Sequence, residues 1–187
     1  MAWPLGYSAC LANVIADGNA VVASASQTSL LTGTASQGVC SLPANWLGNA
    51  AGAQFHIRAA GRISTPAATQ GNATFTVVIA GVNAAVSPTF TSQASQTNIT
   101  WILEWDLTVR AVGSGTSANI MHTGKLTTAL VSATNLINLI PATAPAVGTG
   151  FNSTAASTVD LQFTWSNSTA GNTITLHQYA LWSLINY

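Results

Sequence analysis

Hydrophobic and polar residues alternate along much of this chain with a period of two, the pattern of strands that bury one face. The pattern is clearest between residues 101 and 110. Successive side chains of a strand point to opposite faces, so Glu104, Asp106 and Arg110 share the outer face of this segment. The inner face is apolar throughout and consists of Trp101, Leu103, Trp105, Leu107 and Val109. The segment therefore predicts a strand whose two tryptophans lie in the core.

Other segments show the same alternation with less regularity. Clear candidates for strands are residues 54–59, 74–79, 159–165 and 174–187, and weaker ones are 18–26, 84–91, 120–126 and 129–140. Glycine-containing turn sequences separate them. No segment predicts a convincing helix of about ten or more residues, since the best candidate is rich in β-branched residues and Asn.

About eight strands with Gly-rich turns predict an all-β fold, an antiparallel sandwich of the jelly-roll type with little or no helix. We expect an N-terminal arm over residues 1–17 and a single jelly-roll domain over residues 18–187. Trp101, Trp105 and Trp165 fall on apolar strand faces, so we expect them to fill the core. Residues 143–158 are rich in Ala, Pro, Gly, Ser and Thr, which predicts a long surface loop.

Charge is almost absent from the chain. The 187 residues include four acids and four bases, so the net charge is zero and charged residues make up only 4% of the chain. In an ordinary soluble domain, about 25% of the residues are charged. A protein with so little charge is expected to associate with other molecules. The four basic residues are scattered, which argues against binding to nucleic acid. The sequence contains no run of about 18 apolar residues, so we expect no membrane span. The N-terminal sequence makes a poor secretory signal. In a chain without such a signal, two cysteines are more often small buried hydrophobic residues than a disulfide, and we expect this of Cys10 and Cys40.

Only one pair of residues suggests catalysis. Glu104 and Asp106 stand two residues apart on one strand face, about 6.5–7 Å from each other, which is compatible with acid–base work of the glycosidase type. Pairing with Arg110 on the same face and with Arg58 on another strand is the ordinary explanation. The spacing of the histidines, the cysteines and the glycines matches no metal, phosphate or nucleophile motif, so we expect no enzyme activity, metal or cofactor.

The N-terminal segment has no periodic face although it contains a tryptophan. Trp3 stands in a stretch that proline and glycine interrupt. We interpret Trp3, Pro4, Leu5 and Tyr7 as an arm that docks on a partner. The alternative is an arm that folds against its own domain.

Four segments in order carry a resemblance to a known family: residues 28–31 (TSLL), 42–47 (LPANWL), 57–65 (IRAAGRIST) and 101–110 (WILEWDLTVR). With these segments the chain resembles small β-rich structural proteins of tailed bacteriophages and prophages, of the capsid decoration or fibre type with jelly-roll domains. The resemblance spans roughly residues 20–126 and implies no catalytic residue.

The resemblance implies a virion protein, made in the host cytoplasm, that decorates or cements an assembled capsid. Its partners would be the major capsid protein or other virion proteins, and jelly rolls of this kind are commonly homotrimers. A neutral surface of Ser, Thr, Asn and Gln suits a particle that must persist in varied salt and pH. The alternatives are a fibre-type module that binds a host receptor or glycan, a coat protein that forms the shell itself, and a hydrolase that uses Glu104 and Asp106.

Overall fold

The computed structural model of the chain describes residues 7–47 and 51–185. This part contains a 3-10 helix, Gly33–Gly38, and twelve β-strands. The strands are β1 (Tyr7–Asn13), β2 (Val21–Val22), β3 (Thr28–Ser29), β4 (Cys40–Leu42), β5 (Gln54–Ser64), β6 (Ala73–Ile79), β7 (Val82–Val86), β8 (Ile99–Ala111), β9 (Asn119–Thr128), β10 (Ile137–Ile140), β11 (Ser157–Trp165) and β12 (Thr173–Ile185). No helix among these residues has the length and apolarity that crossing a membrane requires.

The strands form two sheets with antiparallel pairing throughout. The larger sheet has seven strands in the order β1-β12-β5-β8-β9-β10, with β2 beside β12. The smaller sheet has five strands in the order β3-β11-β6-β7, with β4 beside β11. The predicted fold class, an all-β antiparallel sandwich of the jelly-roll type, is confirmed. Eight strands have five or more residues, and the other four, with two to four residues, are too short to produce a visible alternation.

The core lies between the two sheets and is aromatic. Trp101, Trp105 and Trp165 are 0% exposed, which confirms their predicted place. In the smaller sheet, the ring of Phe163 packs edge-on against Phe75 at 5.0 Å and against Trp165 at 4.9 Å. Such edge-to-face pairs add to the hydrophobic stabilisation that burial of the rings provides.

The segment predicted as a surface loop, residues 143–158, is partly built into the fold. Val147 bridges to Met121 and Phe151 to Ala118, so the segment follows the edge of β9. Phe151 is buried, which corrects the prediction of a loop that faces outward. The backbones approach so closely here that a Cβ on Gly148 would stand 2.0 Å from the carbonyl oxygen of Ala84, and only glycine fits.

The predicted N-terminal arm, residues 1–17, contains strand β1, whose backbone pairs with β12. Tyr7 is the first residue of that strand and stands opposite Ile185. Trp3, Pro4 and Leu5 lie outside the described residues, so their role as a docking arm stays a prediction.

A β-bulge interrupts the pairing of β12 with β5. The register shifts between Leu176 and Gln178, which leaves His177 as the extra residue. Gly61 of β5 stands opposite this bulge, and a Cβ there would lie 1.9 Å from the carbonyl oxygen of Thr175. The bulge therefore requires glycine at position 61.

We expect Gly61→Ala to lower the free energy of unfolding by about 2 kcal/mol or more, because the added methyl group forces two paired backbones apart. Urea unfolding monitored by tryptophan fluorescence measures this loss. The neighbouring Ala60→Ser, at a half-buried outer position, is the control and should change stability by less than about 0.5 kcal/mol. Equal midpoints for Gly61→Ala and the native chain would contradict the close approach.

Candidate functional site

The outer face of the larger sheet contains most of the charge of the protein. All four basic residues lie there and are exposed, two on β5, one on β8 and one on β9: Arg58, Arg62, Arg110 and Lys125. Two of the four acids, Glu104 and Asp106, lie on β8 of the same face. The outer face of the smaller sheet has one acid, Asp160, which accepts hydrogen bonds from Ser29 and Gln162.

Glu104 forms the centre of a cross-strand ion-pair row. The register aligns it with Arg58 on one side and Lys125 on the other. Lys125 Nζ lies 2.8 Å from one carboxylate oxygen, and Arg58 Nε lies 4.0 Å from the other. The hydrogen bond from Lys125, together with the positive charges of Lys125 and Arg58, lowers the pKa of Glu104. The predicted pairing with Arg58 is thereby confirmed, while Lys125 was not foreseen.

Asp106 pairs with a histidine and not with Arg110. Its carboxylate lies 2.6 Å from Nδ1 of His56, the residue directly opposite on β5. Arg110 instead contacts the sulfur of Met121 at 3.1 Å. Both carboxylates of the candidate pair thus have basic partners on neighbouring strands, which is the cross-strand pairing that the sequence analysis favoured over catalysis.

The three histidines lie in different surroundings. His56 pairs with Asp106, and His177 at the bulge pairs with Asp17 at 2.8 Å. His122 is buried and accepts a hydrogen bond at Nδ1 from the indole N–H of Trp105 at 3.2 Å. Within residues 7–47 and 51–185, no three His, Cys, Asp or Glu side chains come together as a metal site would require. Cys10 and Cys40 are both free thiols, and the expectation of buried cysteines is confirmed for Cys40 and wrong for Cys10, which is exposed.

A cleft that the sequence analysis did not identify lies beside Trp182. This residue is half-buried on the outer face of β12, opposite His56 of β5. A cleft of about 290 Å³ opens on one side of its ring, lined mostly by apolar side chains and by the polar side chains of Asn13, Arg58 and Gln178. A second cleft, of about 160 Å³, lies on the other side, where His56 and Asp106 line it.

The two edges of the larger sheet differ in character. At one edge, β10 has two exposed side chains on the outer face, Ile137 at 54% and Leu139 at 64% exposure. Leu136, just before the strand, is also exposed, as is Val147 beyond it. The opposite edge is β1. Large exposed apolar side chains in a row along a sheet edge are typical of an interaction surface.

Comparison with known proteins adds the following. No family model matches the chain, and no curated protein matches it. Among solved structures, the chain is similar to the winged bean acidic lectin complexed with methyl-α-D-galactose. The identity is 12% and the TM-score 0.33, over 97% of this chain and 100% of the lectin chain. Values this low say nothing about a shared ligand.

We expect Glu104→Gln to cost less than about 1 kcal/mol at pH 7, because the pair is partly exposed and solvent screens it. The pKa of Glu104 is lowered in the folded state, so its contribution is present above the ordinary pKa of about 4.3 and is lost as the pH falls through the lowered value. Urea unfolding of both proteins between pH 3 and pH 7 tests this. A difference of several kcal/mol, or one that persists unchanged at pH 3, would contradict a surface ion pair.

We also expect His122 to make the fold sensitive to acid. Burial lowers its pKa, and protonation would place a hydrogen on the nitrogen that accepts from Trp105. The unfolded chain therefore takes up the proton first, and stability falls as the pH drops below about 6.5. His122→Gln should flatten this dependence between pH 5 and pH 7 in thermal unfolding. Trp105→Phe keeps the titrating ring but removes the indole N–H that bonds to Nδ1, so it should lower stability and retain only part of the slope. An equal slope in His122→Gln and the native chain would refute the assignment.

Proposed function

We propose that this chain is a non-enzymatic structural protein of a bacteriophage virion, which associates into a homotrimer and stabilises an assembled capsid as a decoration or cement protein. The observation that carries the proposal is the exposed apolar edge of the larger sheet at β10. The resemblance over roughly residues 20–126 supports the assignment to a virion.

The β10 edge offers two kinds of contact to a partner. An edge strand presents backbone N–H and C=O groups that another extended segment can pair with. Ile137 and Leu139 are mostly exposed on this strand, so a partner would also bury apolar surface. Lys125, aligned with Leu139 on the neighbouring strand, has its charge satisfied by Glu104 and does not oppose such a partner.

The position of the N-terminal segment suggests which partner fits. Residues 1–6 precede β1, and β1 forms the edge opposite to β10. If the segment with Trp3, Pro4 and Leu5 docks on β10 of the next copy, each copy donates at one edge and accepts at the other. A contact of this head-to-tail kind closes into a ring when the rotation allows, and three copies give the trimer that we propose.

The distribution of charge supports association over catalysis. Each of the four acids has a partner: Glu104 and Asp106 on the larger sheet, Asp17 at the bulge and Asp160 on the smaller sheet. The remaining surface consists largely of neutral polar side chains, which bury at low desolvation cost where they are hydrogen-bonded. Binding of many such copies would stabilise a capsid by mass action on its assembled state.

A second candidate function is a module that binds host glycans. The clefts beside Trp182 favour it, because they combine an accessible aromatic ring with polar side chains.

Light scattering at low and high salt tests the trimer. We expect the native chain to have three times the monomer mass at both salt concentrations, because apolar contacts are insensitive to screening. Leu139→Lys should reduce the mass to that of a monomer, and deletion of residues 1–6 should do the same. Val22→Lys introduces the same charge at another exposed apolar residue, on β2, and should stay trimeric.

Sedimentation with purified bare capsids then tests the decoration role, with the native chain expected in the pellet. A stable native monomer that does not bind capsids would overturn the proposal. Closed particles formed by the pure protein would instead indicate a coat protein.

A further inference from the structure

The ring of Trp182 stands on the outer face of the larger sheet with space beside it. Its neighbours on this face include Ala180 on the same strand and Ala60 on β5. Alanine side chains end at Cβ, so the surface next to the indole is recessed into the cleft of about 290 Å³. The size is just below the range of small-molecule sites, about 300–1,000 Å³, and suits one small unit of a larger ligand. A ligand in this cleft would lie against the aromatic ring.

Polar side chains from three strands surround this recess. Asn13 of β1 and Gln178 of β12 are exposed, and Arg58 of β5 completes the lining. Within the part of the chain that the structure describes, neither amide side chain forms a hydrogen bond to another residue. Each amide therefore offers both a donor and an acceptor to a ligand. Arg58 adds donors, while its charge is offset by Glu104.

We propose that this cleft binds a neutral sugar unit of an oligosaccharide. A pyranose ring has an apolar face of C–H groups, which suits the face of an indole, and a rim of hydroxyl groups that both donate and accept hydrogen bonds. Neighbouring hydroxyl groups match the paired donor and acceptor of Asn13 and Gln178. The second cleft, beyond Trp182, presents His56 and Asp106 and gives room for an adjoining sugar unit.

Two other ligand classes fit these residues less well. An acidic sugar needs a free cation, but the Arg58 guanidinium lies beside Glu104, and Glu104 also binds Lys125. A proline-rich peptide docks in grooves lined by several aromatic rings. Here one accessible tryptophan ring lines both clefts, since the other aromatic residues of the lining, Tyr179 and Phe55, are buried. The neighbouring ring of His56, at 5.5 Å, is engaged with Asp106.

The sugar site rests on the second candidate function, glycan binding, whose ligand class it specifies, and it is independent of the capsid-binding proposal. It uses the face of the larger sheet, whereas the proposed trimer uses its edges. A capsid-binding trimer without sugar affinity, and a sugar-binding protein without capsid affinity, are therefore separate and distinguishable results.

The test is NMR titration of the full chain with neutral gluco-, galacto- and manno-oligosaccharides, with sialylated oligosaccharides and a proline-rich peptide as competing probes. Comparison with Trp182→Phe assigns the indole N–H signal of Trp182 among the six tryptophans. We expect a neutral oligosaccharide to shift this signal at millimolar concentration. Trp182→Ala should weaken binding at least tenfold, and Gln178→Ala about fivefold, as loss of one hydrogen bond predicts.

Thr123→Ala is the matched control, because Thr123 is exposed on the same sheet face, opposite Asp106, and lines neither cleft. It should bind as the native chain does, and thermal unfolding should show that all variants are folded. The proposal is overturned if no neutral oligosaccharide binds, if only the sialylated probes or the peptide bind, or if sugar binding survives Trp182→Ala unchanged.

Discussion

The bulge at His177 decides which face each residue of the C-terminal strand presents. Before the bulge, the residues of the hydrophobic core, Ile174 and Leu176, stand at even positions, whereas after it they stand at odd positions: Tyr179 and Leu181. Without the extra residue, Trp182 would point into the core. Gly61 makes the bulge possible through its lack of a side chain, and the carboxylate of Asp17 contacts the ring of the extra residue, His177. The clefts on the outer face therefore depend on one backbone irregularity.

The strands that alternate over many residues could be predicted from the sequence, since one buried face imposes the pattern directly. Strand β8 shows this best, because Trp101 and Trp105 lie in the core as expected. The short strands β3 and β4 could not be predicted, because two or three residues contain too little alternation, and β2 and β10 were predicted only as parts of the longer candidates 18–26 and 129–140. Pairing with β11 aligns β3 and β4, pairing with β12 aligns β2, and pairing with β9 aligns β10. Contacts between segments so far apart in the sequence leave no local pattern.

The ion pairs and the Trp182 clefts were harder to predict than the fold, because they too depend on contacts between distant segments. The pairing of Glu104 with Arg58 could be expected from opposite charges on polar strand faces, but the closer partner, Lys125, depends on the register of β9. Trp182 belongs to a segment so rich in apolar residues that alternation alone does not distinguish its faces. A bulge that inverts the phase is visible only once Gly61 and Thr175 are known to be in contact.

The two proposals use different parts of the larger sheet, and this separation has a consequence for affinity. A ring that forms through β10 at one edge and the segment before β1 at the other would leave the outer faces of the sheets uncovered. Three copies related by one axis would then present three equivalent Trp182 clefts to the same surroundings.

A single sugar unit against one indole binds weakly, because few atoms are in contact. Simultaneous binding at three sites converts later contacts into intramolecular ones and raises the overall affinity by orders of magnitude without any new contact. A low-charge trimer could in this way hold a glycan-covered surface through neutral contacts that salt does not weaken.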